Sequence, residues 1–216
     1  MVELDSEKTI ELRRNMVEKQ LISRGIKNQR VIEAFLRVPR HLFVPPSYRD
    51  LSYQDSPLPL GQGQTISQPY IVALMVELLN PQKEDRVLEV GTGSGYETAI
   101  LAELVKMVYS VERIPELIKR AREILSRLGY RNVVLIEGDG SKGLPQFSPY
   151  DKIIVSACSK NIYPAWVEEL KEGGIIVLPL EEEMGQNLVR GMKKKGKLML
   201  ENYGGCVFVP LIEDEL

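Results

Sequence analysis

Apolar residues recur at two different periods along the chain, and the change comes near residue 85. Before it the spacing is helical: Leu12, Met16, Val17 and Leu21 fall on one face of a predicted first helix. Ser6 is placed to cap that helix and Gly25 to end it. Asn28 is placed to cap a second helix carrying Val31, Ile32, Phe35 and Leu36. Residues 39–69 then break the pattern. Pro39, Pro45, Pro46, Pro57 and Pro59 exclude regular helix, and Gly61 and Gly63 supply turns. An irregular stretch this long in a compact domain implies a lid or a binding loop. Ser67 then opens a helix that runs through Met75 to Leu79.

From residue 85, short apolar runs alternate with helical patterns. Strands are predicted over 86–90, 107–112, 132–137, 151–157 and 175–179, and helices over 96–105, 115–128 and 164–170. Pro115 suits a first helical turn and Gly129 a helix stop. Residues 187–192, 198–203 and 206–211 read as two or three antiparallel strands. The basic run Lys193-Lys194-Lys195-Gly196-Lys197 reads as a solvated hairpin turn between them. The alternation predicts an α/β fold with a doubly wound, Rossmann-like sheet, N-terminal helices and C-terminal antiparallel strands. We expect one domain over 1–216: helices and a substrate loop (1–80), a cofactor-binding core (81–180) and C-terminal strands (181–216).

Composition adds exclusions. With 44% hydrophobic and 27% charged residues among 216, the chain is not a disordered one. A net charge of −2 gives no basic field to draw it to nucleic acid or an anionic membrane. Cys158, Cys206 and the single His41 make no metal-ligand pattern, so no metal is expected, and both thiols read as reduced core residues. His41 and Trp166 read as packing residues. The opening MVELDSEKTIELRR lacks the apolar stretch of a signal peptide, and no run approaches about 18 apolar residues. The expected location is the cytoplasm.

Candidate chemistry centres on Leu88-Glu89-Val90-Gly91-Thr92-Gly93-Ser94-Gly95, a buried strand entering a glycine-rich turn that opens a helix. In an open parallel sheet, ligands bind outside the carboxyl ends of strands, where such a turn lies. Glu112, ending the next strand, can accept hydrogen bonds from two ribose hydroxyls, or it is a solvated strand end. Asp139 in Gly138-Asp139-Gly140 can accept from an exocyclic amine such as adenine's, or it shapes a turn. The spacing is G-x-G-x-G rather than the G-x-G-x-x-G of dinucleotide sites, and acidic Glu89 precedes it. A carboxylate there disfavours a pyrophosphate and favours a cation, which points to S-adenosyl-L-methionine. The expected cofactor set is Glu89, Gly91, Thr92, Gly93, Ser94, Glu112, Arg113, Asp139 and Gly140. On these residues alone a small-molecule or RNA methyltransferase, a nicotinamide-dependent oxidoreductase and a non-catalytic binding module remain open.

Further motifs narrow the choice. Gly63-Gln64-Thr65-Ile66-Ser67-Gln68-Pro69, after Pro57-Leu58-Pro59, resembles the GQTIS-x-P segment of the protein-L-isoaspartate O-methyltransferases. VLEVGTGSGY, GDGSKG (138–143), Pro149-Tyr150-Asp151 and Leu170-Lys171-Glu172-Gly173-Gly174 are similar to further motifs of that family, and Val207-Phe208-Val209-Pro210-Leu211 resembles its V-x-F-V-P-L ending. The glycine turn is shared by many methyltransferases, whereas GQTIS-x-P and VFVPL together are specific. The resemblance covers nearly the whole chain. It implies methyl transfer from S-adenosylmethionine to the free carboxylate of L-isoaspartyl residues in damaged proteins, after which the ester collapses to a succinimide.

It also implies that Ser67 is the active-site residue, that Thr65, Ile66 and Ser67 line both cofactor and acceptor, and that Val207, Phe208 and Val209 help hold the peptide. The expected partners are damaged proteins or peptides, with no nucleic acid and no membrane, and the chain is expected to act as a monomer. Two departures bear on peptide preference: Lys160 stands after the fourth strand, where the family often has small residues and a proline, and Tyr70 follows Pro69 where many members place histidine. A carboxyl acceptor with an unperturbed pKa of about 4 is already ionised at neutral pH, so no general base is required. Ser67 is assigned to orient that acceptor by one hydrogen bond, and the competing role for it is a helix cap.

Overall fold

A computed structural model describes residues 5–213. Residues 1–4 and 214–216, the two ends of the predicted segments, lie outside that range. The first helix, α1 (Glu7–Met16), starts at Ser6, whose hydroxyl accepts from the Thr9 amide. It passes into a π-helical turn and a short 3-10 turn, and ends at Gly25 with φ +98°. Helix α2 (Gln29–Arg37) is capped by Asn28, as its sequence implies.

Residues 39–69 are more ordered than the proline count suggests. Leu58–Gly61 (β1) and Gln64–Ile66 (β2) form an antiparallel hairpin. Gln62 (φ 54°) and Gly63 (φ 69°) both take the left-handed conformation that a tight two-residue hairpin requires. Pro59 is tolerated because the strand is short and has a partner on one side only. Helix α3 (Pro69–Leu79) begins two residues later than expected from Ser67. Proline, with a fixed φ and no N–H, takes the first helical position, so Gln68 occupies the cap and makes no side-chain bond there.

The main sheet contains β3 (Arg86–Val90), β4 (Met107–Glu112), β5 (Val133–Glu137), β6 (Tyr150–Val155), β7 (Leu170–Glu182), β8 (Gly185–Lys194) and β9 (Lys197–Cys206). Their order is β5-β4-β3-β6-β7-β8-β9. The first five strands in that order join by four parallel pairings, and β7-β8 and β8-β9 pair antiparallel. Strand order therefore reverses between β3 and β6, which opens a crevice at their carboxyl ends. Helices α4 (Tyr96–Ala102), α5 (Pro115–Arg127) and α6 (Pro164–Glu169) complete the alternation. The predicted doubly wound, Rossmann-like class is the observed one. The basic run turns at Lys195 and Gly196, both at positive φ, between β8 and β9. The third predicted C-terminal strand, 206–211, is absent: the segment makes only an isolated bridge, Pro210 to Cys158.

Strand alternation sends side chains to two cores. Val87, Val108, Ile154 and Val177 join the face covered by the N-terminal helices, α3, α4 and α5. Leu88, Val90, Ile153, Val155 and Ile176 join the face that holds Trp166 of α6. Burying each such aliphatic side chain contributes about 1.5–3 kcal/mol. The same alternation puts Glu89 with Val87, on the α4 side of the sheet.

Candidate active site

At the β3–β6 crevice lies a cavity of about 490 Å3, within the range for a ligand of cofactor size. Its floor is the glycine turn. Gly95 has φ +83°, and a Cβ there would sit 3.0 Å from that of Ala121 on α5, so glycine is required both for conformation and for close helix packing. Gly91, Thr92, Gly93 and Ser94 all line the cavity, as do Glu112 and Arg113.

Glu112 holds the turn in shape. Its Oε2 accepts from the Gly93 amide at 2.8 Å and its Oε1 from the Ile114 amide at 2.9 Å. A carboxylate has about four acceptor positions, so each oxygen keeps one for a ligand hydroxyl. Gly138 and Gly140 also line the cavity. Any Cβ on Gly140 would collide with Val90, and the Trp166 indole donates to the Gly140 carbonyl at 2.8 Å. Trp166 is thus a core residue that also fixes this glycine.

Two predicted cofactor residues stand behind the wall rather than on it. Asp139 is buried, and its Oδ1 accepts from the Ser141 amide and hydroxyl at 2.9 and 2.7 Å, with Lys142 3.7 Å from Oδ2. It shapes the turn that presents Gly138 and Gly140. Glu89 is fully buried beneath α4 and accepts from Thr98 Oγ1 at 2.6 Å. Burial, then repulsion from Glu97, pushes its carboxyl well above the usual range. Besides Glu112, the acidic group that reaches the cavity is Glu97 in the first turn of α4, with Ser156 Oγ donating to its Oε2 at 2.9 Å. Its signal in the sequence was an acid two residues after the last glycine of the turn.

The opposite wall comes from the proline-rich region. Gln62, Gln64, Thr65, Ile66 and Ser67 line it. The Ser67 side chain makes no helix cap, so the competing role for it is gone. Its backbone carbonyl is held by Arg40, which is fully buried and bonds Ser67 O at 2.7 Å and Ser52 O at 2.8 Å. The guanidinium also lies over the Tyr96 ring, 4.9 Å from its centroid. Burial lowers it to about 10, and it remains a cation at neutral pH. Sequence reasoning missed Arg40 because nothing local marks a buried arginine. His41 beside it packs against Tyr53, Nδ1 to Oη at 2.8 Å.

Val209 to Ile212 close the cavity. That tail is stitched to the body by Cys158, whose amide donates to Val209 O (2.8 Å) and whose carbonyl accepts from Leu211 N (2.7 Å). Gln186 brackets Phe208 from both sides, donating to its carbonyl and accepting from its amide. Of the predicted peptide-binding trio, only Val209 lines the cavity; Phe208 is buried outside it and Val207 is 93% exposed. Among the described residues no helix is long and apolar enough to cross a membrane.

A family model described as protein-L-isoaspartate(D-aspartate) O-methyltransferase matches residues 12–216. The chain is 54% identical over 199 residues to a protein-L-isoaspartate O-methyltransferase of Dictyoglomus thermophilum, covering 92% of this chain and 90% of that protein. It is 51% identical over 209 residues to one from Ignicoccus hospitalis, covering 95% and 99%. A solved protein-L-isoaspartate O-methyltransferase superposes with a TM-score of 0.85 at 31% identity, over 92% of this chain and 65% of that chain. A second solved structure, a putative protein-L-isoaspartate O-methyltransferase from Plasmodium falciparum in complex with S-adenosyl-L-homocysteine, gives 0.83 at 26% identity over 94% and 99%. With its glycine turn, Glu112 and Ser67 on one cavity and a match of this length, the chain belongs to the protein-L-isoaspartate(D-aspartate) O-methyltransferase family.

Proposed function

We propose that the chain transfers a methyl group from S-adenosylmethionine to the free carboxylate of L-isoaspartyl residues in damaged proteins. The observation that carries this is the meeting of Ser67 and the tail at Val209 with the glycine turn and Glu112 on one cavity. When bound, S-adenosylmethionine supplies an electrophilic methyl group on a cationic sulfur. Glu112 would hold the ribose hydroxyls with the acceptor positions that Gly93 and Ile114 leave free, and Gly138 and Gly140 would flank the base. Arg113 and Thr92 complete that wall.

On the other wall, Thr65, Ile66 and Ser67 would receive the acceptor. The acceptor carboxylate arrives ionised, so the site needs no base. Its work is to exclude water and to align oxygen with methyl carbon at roughly 3 Å. A Ser67 hydroxyl does this with one hydrogen bond and leaves the nucleophile its charge. Arg40 acts at a distance, through the Ser67 backbone. The exposed Val207 would lie against the substrate peptide. A cytoplasmic setting is part of the proposal, since Cys158 and Cys206 are unpaired thiols that suit a reducing compartment.

The test is incorporation of labelled methyl groups from S-adenosylmethionine into an isoaspartyl peptide and its aspartyl twin. The proposal predicts a base-labile methyl ester on the first and none on the second. Equal labelling of both, or labelling only of RNA or a small molecule, contradicts it.

A further inference from the structure

One acidic group on the cavity has no role in the reaction above. Glu97 lines the cavity and is 8% exposed. Ser156 serves its Oε2, but its Oε1 is buried with no hydrogen-bond partner. Glu89, fully buried beneath the same helix, likewise leaves Oε1 without a partner. An ionised carboxylate only accepts, so an oxygen buried without a donor is costly. A carboxylic acid donates. A proton on Glu97 removes one charge from the site, and with it the repulsion that Glu89 feels.

We propose that Glu97, paired with Glu89, holds a proton at neutral pH and releases it when the cationic methyl donor enters the cavity, making donor binding and proton release one event. The inference rests on the reading that this cavity takes S-adenosylmethionine. In the step, the carboxyl O–H bond breaks, its electron pair stays on the oxygen, and the proton passes to buffer. The new carboxylate then faces the positive charge of the donor.

Burial, opposed by the Ser156 bond, pushes the Glu97 carboxyl up to about 7, so about half of the molecules carry the proton at pH 7 and more of them at lower pH. Glu89 on β3 is repelled by Glu97, and Glu112 at the end of β4 repels Glu89 as well. Ser156 after β6 contributes only a hydroxyl, and Ser110 on β4 and Thr98 on α4 contribute hydroxyls that favour the charged form of Glu89. Arg113 lines the same cavity beside Glu112.

Calorimetric titration with S-adenosylmethionine at pH 6.5, where the donor's amine is fully charged, in buffers of different ionisation enthalpy, counts the protons exchanged. The wild-type chain is expected to release about half to one proton per donor bound. Glu97→Gln, with its fold checked by melting, is expected to release close to none. Wild-type affinity is expected to tighten several-fold from pH 5.5 to 7.5, and that of Glu97→Gln to stay flat. Should Glu97→Gln fail to fold, Ser156→Ala carries the test: with the favouring hydroxyl removed, the affinity change moves to higher pH. Donor binding with no proton released by the wild type overturns the inference and leaves the proposed function standing, as does equal release from Glu97→Gln. Absence of donor binding at any pH overturns both.

Discussion

The wall of the cavity proposed for the donor, residues 91–94 and 112–115, hangs from the ends of two buried parallel strands, whereas the wall proposed for the acceptor, residues 62, 64–67 and 209–212, is made of a hairpin, a loop and a tail. The donor wall is tied by bonds between its own adjoining strands, such as Gly93 N to Glu112 at 2.8 Å. The acceptor wall is tied by side chains and backbone from elsewhere: Arg40 for Ser67, Cys158 for Val209 and Leu211, Gln186 for Phe208. One wall is set by the register of the sheet. The other depends on a few long-range anchors.

The largest expected effect tests the anchor. Arg40→Ala removes the donor from the buried Ser52 carbonyl and the half-buried Ser67 carbonyl and leaves a void over Tyr96, and should cost about 3–5 kcal/mol in urea denaturation. A cost under about 1 kcal/mol would show that the acceptor wall stands without its clamp. Next is Ser67→Ala, expected to lower turnover about 30-fold, or ~2 kcal/mol in the barrier. Donor affinity should stay within about twofold and stability within about 0.5 kcal/mol, because Gln68 occupies the helix cap. Lost stability with turnover intact would return Ser67 to a structural role.

Glu97→Gln probes the donor wall. A carboxyl whose pKa rises on folding, here from 4.5 to about 7, costs stability as pH climbs through that window, because the unfolded chain ionises first. The variant should therefore be about 1–2 kcal/mol more stable than wild type at pH 8 and equal to it below pH ~4.5. Equal pH profiles by chemical denaturation would contradict the raised carboxyl. The smallest effect belongs to Val207→Ala. Its exposed side chain predicts a stability change within about 0.5 kcal/mol and a rise of about two- to fivefold in peptide KM alone, from the lost apolar contact.

The same division explains what could be read from the sequence. The strands β3 and β4 and the glycine turn follow from short-range periodicity and glycine placement, and their bounds agree with the pattern. The hairpin in 58–66 was hidden because Pro59 reads as a strand breaker unless the strand is known to sit at an edge. The expected strand over 206–211 is a continuous apolar run, but its pairing is decided by Cys158, far off in sequence. Glu89 and Asp139 were legible as acids near the cavity but not in their direction. Alternation turns Glu89 beneath α4, and Ser141 claims Asp139. Glu97, which does reach the cavity, looked like an ordinary first-turn acid.

A crystal structure with S-adenosylhomocysteine and an isoaspartyl peptide bound together tests the shared cavity most directly. The account predicts ribose hydroxyls on Glu112, the base beside Gly138 and Gly140, and the isoaspartyl carboxylate within hydrogen-bond reach of Ser67 Oγ. Adenosine bound away from residues 91–94 and 112, or a peptide carboxylate that never meets Ser67, would contradict it.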